Sequence, residues 1–168
     1  DSVRALIVNT ETGENVGQGV ACYPRWKAGL YQHPEYSIFR QHPLDYLESL
    51  EKCITTALAE LTEEQKDYVI GIGVDTTGST PVPVDKNGIP LALLDEFAEN
   101  ENAMFFLWKD HAAAAEADEI NKLFRNNSEN DYTKYQGDYS AEWYWAKILY
   151  AVRHDEAIRQ AAYTWEEH

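Results

Sequence analysis

The stretch Tyr68-Val69-Ile70-Gly71-Ile72-Gly73-Val74-Asp75-Thr76-Thr77-Gly78-Ser79-Thr80 constrains this chain more than any other. It begins as a continuous apolar run and ends in small hydroxylated residues gathered around one carboxylate. A run so rich in Val and Ile reads as a strand buried on both faces, with the polar cluster at its carboxyl end. In open α/β sheets that end is where ligands bind. Thr76, Thr77, Ser79 and Thr80 carry hydroxyls that donate and accept, Asp75 carries an acceptor, and Gly78 leaves room for a ligand against the backbone. The competing reading is a tight turn whose hydroxyls satisfy their own main chain.

The 168 residues, 44% of them hydrophobic, suffice for a single domain or part of one with a real core. A formal net charge of −15 argues against nucleic acid or an anionic membrane as partner, since both need a basic footprint. Cys22 and Cys53 have neither disulfide-framework nor zinc spacing, which fits a reducing cytoplasm. No apolar run approaches the roughly 18 residues needed to cross a bilayer and no secretory leader opens the chain, so a soluble protein is expected. The chain opens on Asp1 rather than Met and stops at Glu166-Glu167-His168, as a piece of a longer protein would.

Taken in order, Val3 to Val8 reads as a strand, Asn9 to Glu14 as a hairpin turn, and Asn15 to Tyr23 as the returning strand. Pro24 to Gln41 has aromatics and prolines without period and reads as an ordered loop. From Pro43, Leu47, Leu50, Ile54, Leu58 and Leu61 recur at three- and four-residue steps, with Asp45 and Glu48 in the first turn. That pattern predicts an amphipathic helix with Thr62 to Asp67 as its solvated exit. Asn87-Gly88 between Pro81-Val84 and Ile89-Ala92 predicts a hairpin of edge strands. Met104 to Leu107 reads as a short strand running into Trp108-Lys109-Asp110-His111 and an Ala-rich helix from about 112 to 124. Arg125 to Tyr139, with Asn126, Asn127, Ser128 and Asn130, reads as a loop. Ser140 is a plausible N-cap for a helix through Val152, and a last helix from Asp155 to about Trp165 closes the chain.

Trp108 and Asp110 form a second candidate constellation, because sugar carbons stack on an indole while a carboxylate accepts from hydroxyls. A core Trp and a capping Asp is the plainer alternative. Glu142 stands at a third polar site near a helix start. The other histidines, His33, His42, His154 and His168, show no metal spacing. No P-loop, Gly-x-Ser-x-Gly elbow, His-Glu-x-x-His or dinucleotide fingerprint occurs. Spacing alone ends at an α/β domain that binds a small polyol-like ligand.

Five segments carry a resemblance: Asp1-Ser2-Val3-Arg4-Ala5, His42-Pro43-Leu44-Asp45-Tyr46, Gly71 to Thr80, Leu107-Trp108-Lys109-Asp110-His111 and Ser140-Ala141-Glu142-Trp143. In order and spacing the chain resembles the FGGY carbohydrate kinase family over almost its whole length. The Gly-Val-Asp-x-Thr and Leu-Trp-Lys-Asp-His segments are closer to the family's L-ribulose branch than to its xylulose or glycerol branches. The resemblance implies an incomplete N-terminal lobe of the actin-like ATPase (ribonuclease H-like) α/β fold, a mixed sheet with flanking helices. It implies transfer of the ATP γ-phosphoryl group to L-ribulose, with Mg2+, in L-arabinose degradation, and leaves room for a homodimer. Ser2 and Arg4 would face the ATP phosphates; Thr76, Thr77, Gly78, Trp108, Asp110 and Glu142 would bind the sugar. The general base, the adenosine-binding motifs and the second lobe are expected outside these 168 residues, which hold no metal-binding residue in this reading and on their own would be inactive. A sibling kinase acting on D-ribulose or xylulose, and a non-enzymatic actin-like sugar-binding domain, are the alternatives.

Overall fold

Two glycines on one strand decide how the first part of the chain packs. In the computed structural model, which describes residues 1–127 and 131–168, β1 (Ser2–Val8) and β2 (Asn15–Cys22) form the predicted antiparallel hairpin, with Ala5 opposite Gly19. The expected loop residues Ser128 and Asn130 lie outside the described residues. A short turn, α1 (Pro24–Lys27), follows the hairpin. The chain divides into two units, residues 1–30 with 42–75 and residues 31–41 with 76–168.

In the first unit, β3 (Gln32–His33) and β4 (Ile38–Gln41) are skipped over and the hairpin is covered by α2 (Pro43–Leu58). Pro43 occupies its first turn as predicted, and the His42 ring nitrogen Nδ1 accepts from the Leu44 N–H at 3.1 Å. The helix lies so close that a Cβ on Gly19 would sit 2.0 Å from the Cys53 carbonyl oxygen, and one on Gly17 would sit 2.6 Å from that of Ala57. Only small side chains fit beneath it, so Ser49, Cys53 and Ala57 are buried while Leu47, Leu50 and Ile54 stay exposed. Periodicity thus located the helix but misjudged which stripe it buries. The buried Asp45 carboxylate accepts from the Arg25 and Trp26 N–H groups, at 3.1 and 3.0 Å, satisfying donors of the α1 turn that have no helical acceptor. Arg25 also grips Glu48 through two hydrogen bonds, and this holds the Glu48 carboxyl below its ordinary range. The expected exit segment is itself a helical turn, α3 (Glu63–Lys66), closed by a capping box between Thr62 and Gln65.

The run after it is the largest correction. Residues 69–77 are not a strand, and Ile70, Ile72 and Val74 are 85%, 84% and 80% exposed. Extended backbone becomes a strand only when a neighbour completes its hydrogen bonds. Among the described residues none pairs with this run, since β1 pairs with β2 alone. Apolar content was therefore insufficient to make it one.

The second unit holds β3 and β4 together with β5 (Pro81–Val84), β6 (Phe105–Phe106), α4 (Ala114–Asn126), α5 (Thr133–Gln136), α6 (Tyr144–His154), α7 (Glu156–Ala161) and β7 (Thr164–Glu167). The strands pair antiparallel as β3-β4-β6 and β5-β7. The segment read as a loop from Pro24 to Gln41 thus contains two helical turns, α1 and a 3-10 turn at Pro34–Tyr36, and two strands, because β6 gives β4 a partner the sequence does not advertise. The chain end, read as helix, is strand β7 after a six-residue helix capped by Asp155, whose carboxylate accepts from the Ile158 N–H at 3.0 Å. The Asn87-Gly88 turn forms as predicted, with Asp85 accepting from the Asn87 and Ile89 N–H groups, but Leu91–Leu93 then coils as a 3-10 turn. α6 starts four residues after Ser140, whose hydroxyl accepts from the Glu142 N–H in a local turn. Leu91, Ala92, Ala103, Met104 and Ile158 form one buried cluster; Ala113, Ala117 and Ala146 form another where α4 meets α6. The fold is mixed α/β with small sheets.

Candidate functional site

Asp110 is fully buried, and its carboxylate is the anchor of the loop that carries Trp108. It accepts from the Phe39 N–H at 2.6 Å, from the Ala112 N–H at 3.1 Å and from the Arg40 guanidinium. Burial pulls the Arg40 guanidinium down to about 9, still well above neutrality, so it faces Asp110 as a cation. The same guanidinium lies 3.6 Å over the Phe106 ring. Two further main-chain bonds fix the loop: Leu107 N–H to the Phe39 carbonyl at 3.1 Å and His111 N–H to the Ser37 carbonyl at 2.9 Å.

With its backbone held from both sides, this loop presents Trp108 half exposed, at 49%. His111 Nε2 lies 2.7 Å from a Glu142 carboxylate oxygen, tying the loop to the residues ahead of α6. Glu142 is thus placed on the approach to that helix rather than on it. Lys109 sets its ammonium 4.3 Å over the Phe39 ring.

The hydroxyl cluster belongs to the same unit. Thr76, Thr77 and Gly78 are exposed, and a Cβ added to Gly78 would meet nothing within 4 Å, so the space in front of this turn is open. Thr76 Oγ1 donates to the His168 carbonyl at 2.6 Å, and Thr80 is buried, its N–H donating to the Glu167 carboxylate. Thr80 Oγ1 is 3.3 Å from the Gly78 carbonyl and 3.4 Å from Thr77 Oγ1, so part of the cluster does satisfy its own turn. Ser79 stands at φ 54°, a left-handed conformation that costs a serine about 1–3 kcal/mol.

Lys147, which the sequence reading passed over, joins the two constellations. It is fully buried on α6, and its ammonium donates to the Ser79 carbonyl at 2.5 Å and to the Leu107 carbonyl at 2.9 Å. Burial pulls it down to about 7; the Arg40 charge pushes the same way, while Glu167 and Glu142 oppose. One signal was available: Lys147 interrupts the otherwise apolar Trp145-Ala146-Lys147-Ile148-Leu149.

Ser2 and Arg4 lie in the other unit, two apart on β1 and so on one strand face, with Arg4 exposed and the Ser2 hydroxyl 3.3 Å from an Asp1 carboxylate oxygen. An exposed guanidinium beside a hydroxyl suits an anionic phosphate. Among the described residues no three His, Cys, Asp or Glu side chains gather to hold a metal ion. No helix is long and apolar enough to cross a membrane among them.

No protein-family model matches the chain. The ribulokinase of Vibrio parahaemolyticus is 52% identical over 168 residues, spanning 99% of this chain. Along almost its whole length this chain is similar to that ribulokinase. The ribulokinases of Mycolicibacterium smegmatis and Shouchella clausii are 36% and 35% identical, over 99% and 96% of the chain. The chain spans about 30% of the length of each of these relatives. A crystal structure of a xyloylose kinase from Brucella ovis matches 99% of this chain and 30% of its own chain, with a TM-score of 0.72 at 16% identity. That likeness gives the fold, a mixed α/β architecture shared with part of that chain.

Proposed function

We propose that the protein to which this segment belongs transfers the γ-phosphoryl group of ATP to L-ribulose, giving L-ribulose 5-phosphate in the cytoplasmic breakdown of L-arabinose. The observation that carries the reading is the 52% identity to a ribulokinase across 99% of this chain. The geometry supports it: an open hydroxyl turn and a half-exposed indole are tethered by one ammonium. In this reading Trp108 stacks on the sugar carbons, and Thr76, Thr77 and the Gly78 backbone line the wall. Glu142 accepts from sugar hydroxyls. Asp110, its oxygens already taken by three donors, serves by holding the Trp108 loop rather than by reaching the sugar. Ser2 and Arg4 contact the ATP phosphates. Bound with ATP, Mg2+ would supply neutralisation of the phosphate charge, and the general base is expected outside this segment.

A coupled assay of the full-length protein against L-ribulose, D-ribulose, xylulose and glycerol tests the reading, with the highest kcat/KM expected for L-ribulose. Preference for xylulose or D-ribulose would assign a sibling kinase, and no turnover would reject the enzyme. The 168-residue chain alone is expected to give no turnover in the same assay, because phosphoryl transfer depends on groups positioned from both lobes. In the full-length enzyme, Trp108→Ala is expected to raise the sugar KM on the order of tenfold while leaving the ATP KM within about twofold. Equal changes in both would make Trp108 a packing residue.

A further inference from the structure

We propose that Lys147 is a positioning residue for the sugar site, its ammonium bridging the Ser79 and Leu107 carbonyls so that the hydroxyl turn and the Trp108 loop are held at one fixed separation. The inference rests on the sugar-kinase reading above and goes beyond it to a residue that touches no ligand.

Three features carry it. The two acceptors come from segments 28 residues apart in the chain, Ser79 directly after the open Thr76–Gly78 turn and Leu107 directly before Trp108. A carbonyl at each end of one ammonium makes the pair a bracket: neither segment can move without stretching a bond to the other. Second, Ser79 is the residue held in a left-handed conformation, so the Lys147 bond opposes relaxation of the turn at the point where it is under most strain. Third, burying a lysine that meets only carbonyls is costly. No carboxylate lies within salt-bridge distance of it among the described residues; the charged groups around it are Arg40 on β4, Glu167 on β7 and Glu142 ahead of α6. A Met or Leu would fill the same volume on an apolar helix face without that cost. A residue retained only for packing has no need of a polar head. A residue that must fix two chain segments from a distance does, because one lysine nitrogen carries enough N–H donors to reach both carbonyls at once.

The test is steady-state kinetics of full-length Lys147→Met, which keeps the length and removes the donors. A bracket acting on the sugar site predicts a sugar KM raised by about tenfold or more, with the ATP KM within about twofold. A merely structural lysine predicts a lower active fraction, so kcat falls with both KM values unchanged, and that result overturns the proposal. Should Lys147→Met fail to fold, amide hydrogen exchange on the wild-type enzyme decides. Saturating sugar should slow exchange in residues 77–80 and 108–111 together, whereas protection of one segment without the other overturns the bracket. Wild-type enzyme that phosphorylates no sugar rejects the functional reading and this inference with it. Wild-type activity with an unchanged sugar KM in Lys147→Met rejects the bracket alone.

Discussion

Asp110→Ala is expected to destabilise the chain by about 3–5 kcal/mol, read as a drop in the urea midpoint. The loss comes less from the missing attraction than from what is stranded. Arg40 is 1% exposed and would stay buried as a cation without its counter-charge, and the Phe39 and Ala112 N–H groups would lose their acceptor. The control follows from the same reasoning. Removing both charges, Arg40→Met with Asp110→Leu, should recover much of the loss, because a well-filled apolar pair avoids the cost of desolvating two ions. If Asp110→Ala and the double variant were equally unstable, the ion pair would not be what holds the Trp108 loop.

Gly19→Ala should cost about 2–3 kcal/mol, with the midpoint lowered and the denaturant slope unchanged. The new Cβ would lie 2.0 Å from the Cys53 carbonyl oxygen, 2.9 Å from its carbon and 3.1 Å from the Ala57 nitrogen. All three are backbone atoms of α2 and cannot rotate aside. The helix must lift, and the tightly fitted layer of Ser49, Cys53 and Ala57 opens. Gly71→Ala serves as the comparison, since nothing lies within 4 Å of its added Cβ, and it should leave the midpoint within about 0.5 kcal/mol of wild type.

These two sites also mark what the sequence could and could not reveal. Local signals were legible. Pro43, the Asn87-Gly88 turn and the Asn9 to Glu14 turn of the first hairpin placed elements whose bonds run between near neighbours. What failed was everything decided by a distant partner. Ile38–Gln41 became a strand because Phe105–Phe106 pairs with it, and Thr164–Glu167 because Pro81–Val84 does. The Leu47, Leu50 and Ile54 stripe looked like the core face until two glycines on another strand brought the helix too near for large side chains. Around the candidate site, Trp108 and the Thr76–Gly78 turn could be named from residue type. The roles of Arg40 and Lys147 could not, because a buried basic residue gains meaning only once its acceptors are known, even where, as at Lys147, it stands out in an apolar segment.

The run from Val69 to Val74 carries one more implication. Val69, Ile70, Ile72 and Val74 are all exposed, and the run alternates with only two glycines, no proline and no charge. Uncovered main chain of that composition is a template onto which another copy can add, edge to edge, and then another. At high concentration this chain should therefore tend toward ordered self-association seeded at that run, and colloidal behaviour, rather than melting, would set the practical limit on handling it.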